Sequence, residues 1–242
     1  MRASHFAVAL LSIVAVATTG SACSAGELPG YHAAYELYDR RRAVGEAEFS
    51  VTLLDAEDGL YEFRSVSRVR GIYRLFVPGP AEELGVFVLE SGRIRPLAYS
   101  LHDGTRRNSN GFKVEFDWEG GLAVITAAGK RLAPQLLPGM LDRGSLQASL
   151  MLLDDGFSTR QVTLLDRDGP EIHELRALGE ETLDTPLGRI QAQKLIQQRL
   201  GSARRTLIWL APGLHGLPAR IERQNDGETR AAFRLKSVRW HK

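Results

Sequence analysis

The sequence predicts a mainly β protein: curved antiparallel sheets in two β-rich halves, barrel-like or half-barrel, linked by one helix around residues 142–153. Three observations carry that reading. Apolar and polar residues alternate with a period of two in several runs, as they do in strands with one face on a core and one in water. Short turn signals punctuate these runs at Asp58-Gly59, Ser91-Gly92, Asp103-Gly104, Glu119-Gly120-Gly121, Asp168-Gly169 and Asp226-Gly227. Gly accepts the positive φ of tight hairpin turns, so these dipeptides imply antiparallel neighbours. Finally, the clearest helical repeat is confined to one stretch that follows Pro134 and Pro138-Gly139.

Composition bounds the function classes. A chain of 242 residues with 43% apolar and 25% charged residues has room for one large β domain or two small ones, and is neither disordered nor collagen-like. Its 31 basic residues are matched by 29 acidic ones, interspersed along the chain, so no nucleic-acid partner is expected. The single Cys excludes an intrachain disulfide and a zinc site built on several thiolates.

From the start of the chain, residues 1–25 read as a secretory signal. Arg2 supplies the charge, Phe6 to Ala17 the apolar stretch, and Thr18 to Ala25 a small-residue exit. Cleavage after Ala25 would remove Cys23. The alternative is lipidation at Cys23, because Gly20-Ser21-Ala22-Cys23 resembles a degraded lipobox with Gly where Leu is preferred. Such an anchor would tether the protein to a membrane without changing its fold. No later segment approaches the roughly 20 apolar residues of a membrane span.

The N-terminal β half, 26–133, contains the clearest alternation: Ala47 to Leu53, Leu60 to Val69 and Phe112 to Trp118. Val69 to Phe76, with Ile72, Leu75 and Phe76 beside Arg70 and Arg74, has a spacing compatible with one or two helical turns before Pro78-Gly79-Pro80 stops it. The linker and helix, 134–154, place Leu146, Leu150 and Leu153 at i, i+4 and i+7, ending at Asp154-Asp155-Gly156. Asp142 or Ser145 is the natural N-cap, since a short side-chain oxygen can accept an orphan backbone N–H. The C-terminal β half, 155–242, echoes the first. Gly188 to Ala192 opens a strand as Gly45-Glu46-Ala47 does, and Leu217-Pro218-Ala219-Arg220 matches Arg95-Pro96-Leu97-Ala98 in placing Pro at a strand start.

Several of these segments taken together resemble one family: Gly45-Glu46-Ala47, the Tyr61 to Gly71 strand, Pro96-Leu97, Phe116-Asp117-Trp118, Asp142-x-x-Ser145-Leu146, Thr185-Pro186-Leu187-Gly188, and Ile208 to Pro212 followed by Leu217-Pro218. With the leader, they make the chain similar to the domain of unknown function 3108 family over almost its whole mature length. That resemblance implies an exported bacterial envelope protein with a β-rich fold and no established activity.

The residues offer little catalytic chemistry. No two of His32, His102, His173, His215 and His241 lie within four positions, so no metal site and no cofactor is expected. Glu171-Ile172-His173-Glu174 is the nearest approach to a ligand cluster and reads as a solvated strand edge, because Glu174 points away from Glu171 and His173. Ser145 lacks a nucleophile elbow, and Glu115 and Asp117 share the polar face of one strand. Arg40-Arg41-Arg42 and the spread of Arg68, Arg70 and Arg74 are either a solvated face or contacts for an anionic ligand. Trp209, flanked by Ile208 and Leu210, belongs to the core.

The function expected on these grounds is that of a non-catalytic periplasmic protein that binds or holds an envelope component such as a lipid, a glycan or a partner protein. An undetected envelope hydrolase is the alternative. A ligand site is expected in a concavity where Tyr99, Trp118 and the helix start at Asp142 come together. There an apolar sheet face, a rim aromatic and unpaired helix N–H donors would meet.

Overall fold

The computed structural model describes residues 28–153 and 156–241, so the expected leader and Cys23 lie outside the described residues. Among the described residues fourteen strands form one antiparallel sheet. Eight precede the helix: β1 (Tyr31–Asp39), β2 (Arg42–Asp55), β3 (Leu60–Val69), β4 (Ala81–Glu90), β5 (Arg93–His102), β6 (Phe112–Asp117), β7 (Leu122–Ala127) and β8 (Lys130–Leu132). After α1 (Arg143–Leu150) come β9 (Thr159–Asp166), β10 (Gly169–Thr185), β11 (Gly188–Arg199), β12 (Arg204–Ala211), β13 (Leu217–Asn225) and β14 (Glu228–Trp240). Each half is a meander of hairpins, and the halves join where β1 pairs with β14, from Tyr31 opposite Trp240 to Asp39 opposite Ala231. The sheet does not close: β8 and β9 are its two edges.

Each of the turn signals falls at a connection between paired strands. Ser91-Gly92 and Asp226-Gly227 each carry positive φ at both positions, the geometry whose twist matches the flanking strands. Curvature comes from bulges, with register shifts at Ala34/Tyr35, Val86/Phe87, Ala177/Gly179 and Trp209/Leu210 among others. Pro96 and Pro218 lie at two of these shifts rather than simply at strand starts. A bulge tolerates Pro because one ladder N–H is already unpaired there. In each half the carbonyl of that Pro accepts an aromatic side chain, Trp118 Nε1 at 2.6 Å on Pro96 and the Tyr35 hydroxyl at 2.8 Å on Pro218.

Between β8 and α1 the chain crosses the gap between the two edges. Residues 134 and 136 exchange backbone bonds with 123 and 121 beside β7, and Leu141 then bonds to Thr163 and Leu165 of β9. This strap delivers the chain to Asp142, the N-cap of α1. Asp142 Oδ1 accepts the Ser145 N–H and Ser145 Oγ accepts the Asp142 N–H, both at 2.9 Å, a reciprocal capping box. α1 packs against β3, β4, β5 and β9, with Leu146, Ala148 and Leu150 buried. Gly144 allows this approach, since a Cβ there would lie 2.8 Å from the Phe63 ring. The helix ends at Leu150, earlier than the leucine repeat implies, and Leu153 is only partly buried.

Two apolar clusters result. The larger runs from Tyr31, Tyr35 and Phe49 through Phe63, Leu146 and Leu150 to Ile208, Ile221 and Phe233. The smaller gathers Tyr99, Phe112, Val114, Phe116 and Ile125 with Leu136 and Met140 of the strap and Leu165 of β9. Within the stretch Val69 to Phe76, where one or two helical turns are expected, β3 ends at Val69 and a short 3-10 turn, Gly71–Leu75, follows. Trp209 is buried, but on the face opposite Ile208, where Lys194 and Arg220 each lie 4.8 Å from its ring centre. No helix among the described residues is long and apolar enough to cross a membrane.

Two expected outcomes test this packing. Leu150 is 1% exposed, so Leu150→Ala should lower the unfolding free energy by about 2 to 5 kcal/mol. An unchanged urea midpoint would mean that α1 does not hold the halves together. Burial raises the Asp142 carboxyl from 3.8 to about 6. Between those values the native state binds more protons than the unfolded chain, so this group's contribution to stability falls as pH rises through the window, by on the order of 3 kcal/mol. Asp142→Asn keeps the capping acceptor and should remove that component. A wild-type-minus-variant stability difference that stays flat from pH 4 to 6 would refute it.

Candidate functional site

A meander sends alternate connections to opposite ends of the sheet. The β1–β2, β3–β4, β5–β6, β9–β10, β11–β12 and β13–β14 connections therefore share one end. At that end the concave face opens into a cavity of about 1200 Å³. Its floor is apolar: Phe49, Phe63, Leu146, Leu150, Ile208, Ile221 and Phe233. Strand alternation puts Phe49, Phe63, Ile208, Ile221 and Phe233 inward, Leu146 and Leu150 come from α1, and α1 fills only the part of the concavity next to β3, β4, β5 and β9.

The mouth has the opposite chemistry. Arg143, Arg167, Arg199, Arg204, Arg205, Arg223 and Arg230 line it together with Glu83, Asp166, Asp168 and Glu171. Arg143 is paired with Asp166 at 2.6 Å, Arg167 with Asp168 at 3.2 Å and Arg199 with Glu171 at 2.5 Å. Arg167 also donates to the Ser109 carbonyl at 3.1 Å, lacing the β9–β10 turn to the β5–β6 loop. Arg230 pairs with Glu228. Among the described residues Arg204, Arg205 and Arg223 make no ion pair. Arg205 donates to Gln224 at 2.9 Å and Arg223 lies over the Phe233 ring.

Arg143 and Asp166, both partly buried, lead inward from this rim to the buried Tyr99 and Asp142. Burial works against the Arg143 charge, yet Asp166 and Tyr99 raise its affinity for the proton. Burial similarly opposes ionisation of Asp166, but Arg143 more than offsets it and holds that carboxyl below its ordinary range. The Tyr99 hydroxyl donates to Glu83 at 2.7 Å, and burial with that carboxylate pushes the phenol well up. Asp142 Oδ2 is buried without a hydrogen-bond partner among the described residues. At the mouth, burial lowers the His173 imidazole against the pull of Glu171. Its Nε2 faces Glu171 at 3.3 Å and its Nδ1 faces Gln197 at 3.4 Å.

Of the expected ligand residues, Tyr99 and Asp142 do come together, both against Gly85. Both are buried and neither lines the cavity. Trp118 follows β6 at the other end, stacked on Phe116 with its Nε1 held by Pro96. The residues that do line the mouth include Glu171 and His173, read from the sequence as a solvated edge. The signal that places them inward was present: Leu175 continues their period-two phase and is core. Ser145 is fully buried in the capping box.

No curated protein matches the chain. Among solved structures it is similar to a β-barrel-like protein of the domain of unknown function DUF1849 from Brucella abortus, with TM-score 0.52 and 12% identity over 88% of this chain and 98% of that one. That likeness shows a shared fold. A presumed exported protein with a YmcC-like fold from Bacteroides fragilis gives TM-score 0.40 and 11% identity over 89% and 99% of the two chains. A presumed lipoprotein from Parabacteroides distasonis gives 0.39 and 10% over 87% and 95%. The pattern of one family, described as protein of unknown function (DUF3108), matches residues 31–233, from the first residue of β1 to within β14. The chain therefore belongs to that family.

Proposed function

We propose that this chain is an exported, non-catalytic envelope protein that holds an anionic amphiphile in its half-barrel. The observation that carries the reading is an apolar floor lying below three arginines that make no ion pair among the described residues. An apolar tail gains by leaving water for Phe49, Phe63, Ile208, Ile221 and Phe233, at roughly 25 cal/mol per Å². A phosphate or carboxylate head at the mouth meets Arg204, Arg205 and Arg223, whose guanidinium forks suit either group. The volume exceeds the roughly 300–1,000 Å³ of ordinary small-molecule sites, which favours a long ligand over a compact one. Export is supported by the order of charge, apolar stretch and small-residue exit in residues 1–25. Tyr99 and Asp142 act in this reading as supports for Arg143, and Tyr99 also holds Glu83, which lines the cavity.

A hydrolase reading draws on His173, the one imidazole at the mouth among the described residues. Both of its ring nitrogens face side-chain partners, Glu171 and Gln197, which suits a rim held in place better than a base waiting for a substrate.

Native mass spectrometry of the protein purified from its own envelope should reveal a co-purifying anionic amphiphile. Arg204→Gln with Arg223→Gln should weaken rebinding of that molecule roughly tenfold to a hundredfold, more at low salt than at high. The melting temperature should stay near wild type, because neither residue makes an ion pair among the described residues. A ligand-free mass, or retention unaffected by the double substitution, would reject the proposal.

A further inference from the structure

We propose that the mouth end of the half-barrel docks on an anionic lipid bilayer through the β3–β4 connection. Ile72, Leu75 and Phe76 are 70%, 77% and 74% exposed, more than any other large apolar side chain among the described residues. This exposure belongs to an anchored turn. Tyr73 points the other way, packs on the larger apolar cluster and donates its hydroxyl to Asp39 at 2.9 Å. The backbone holds at both sides, with Arg70 N–H on the Val44 carbonyl and Gly79 N–H on Gly104. Three apolar side chains are thus presented together at the end where the cavity opens.

Their surroundings are cationic. Arg40 and Arg41 of the neighbouring β1–β2 turn, Arg42 at the start of β2, and Arg70 and Arg74 of the connection itself are all exposed. The nearby acids are already engaged: Asp39 accepts from Tyr73, and Glu46 is shared by Arg70 at 2.5 Å and Lys236 at 3.5 Å. Among the described residues Arg40, Arg41, Arg42 and Arg74 make no ion pair. Apolar knobs flanked by arginines match the layering of a bilayer, in which phosphates lie above an acyl region. Each side chain then meets its own solvent. A protein partner would have to bury those guanidinium groups or pair them, whereas lipid phosphates reach them at the interface without displacing the apolar contact.

Co-sedimentation with vesicles of equimolar phosphatidylcholine and phosphatidylglycerol, set against phosphatidylcholine alone, tests the surface. The protein should bind the anionic vesicles and leave the neutral ones. Leu75→Ser with Phe76→Ser should lower the partition about tenfold or more, and Arg74→Gln about fivefold in low salt. Neither change should move the melting temperature, since all three side chains are exposed. Phe76→Trp should show blue-shifted emission on the anionic vesicles as the ring leaves water. Equal binding to both vesicle types, or full binding by the double serine variant, would overturn the proposal. So would absence of vesicle binding, with self-association that the serine substitutions abolish. The docking surface and the cavity fail separately: the serine variant should still retain the amphiphile, while the Arg204 and Arg223 variants should still sediment with vesicles.

Discussion

An antiparallel sheet that does not close leaves two rows of unpaired backbone groups, and the segment from 133 to 150 answers that constraint. β8 is only three residues long, so one edge is nearly spent when the strap begins. The strap then bonds backward to β7 and forward to β9, using main-chain groups on both sides of the gap. The bonds that quiet the β9 edge also fix Leu141, and Leu141 sets the point at which Asp142 starts α1. Helix and edge protection are therefore one device. Because α1 is eight residues long, it fills only part of the concave face. The remainder, toward β10 to β14, is the cavity.

The helix start carries a cost that makes sense only in relation to the mouth. A buried Asp with one oxygen unpartnered is an expensive N-cap, and burial raises its pKa so that the neutral form is accessible. Its neighbour Arg143 reaches the cavity, spans the Phe112 ring at 5.7 Å and ties to Asp166 on β9. A capping residue without charge would relieve Asp142 without improving Arg143. The cap, the strap and the first arginine of the rim are consecutive in the chain, so their geometry is coupled by covalent bonds.

Most of the fold was legible because strand alternation and Gly turns are local properties. The runs at Ala47, Leu60 and Phe112 became β2, β3 and β6, and the Asp-Gly signals fell at hairpins. The helix α1 was legible from Leu146 and Leu150, and Gly144 within it finds its reason only in Phe63, 81 positions earlier. What was not legible depends on which face of a strand turns inward. Glu171 and His173 look like surface residues until Leu175 sets the phase of β10. Trp209 is core, as Ile208 and Leu210 beside it imply, but the sequence does not show that the charged ends of Lys194 and Arg220 lie over its ring. The turn at Gly71–Leu75 misleads in the opposite sense, since a helical apolar spacing there ends in exposure. Its five residues are too few to bury a face, and the single inward position is taken by Tyr73.

The two ends of the half-barrel differ because a meander separates its connections into two sets, and these sets have different chemistry. At the closed end Trp240 packs edge-on against Tyr31 and His215, and the turn after β12 comes against Met151 at the end of α1. Aromatic and backbone packing occupy that end, leaving little for a charged group to do there. At the open end every connection that borders the cavity contributes polar groups, and arginines predominate among them. A molecule entering the concavity must pass guanidinium groups before it meets phenyl and aliphatic side chains. For the amphiphile proposed above, selection by charge would act at entry, where solvent still screens it, while retention would be set by apolar area deeper in, which is indifferent to the chemical detail of a hydrocarbon. This order of encounters follows from the polarity of the sheet itself, because reversing it would require moving the arginines to the opposite set of turns.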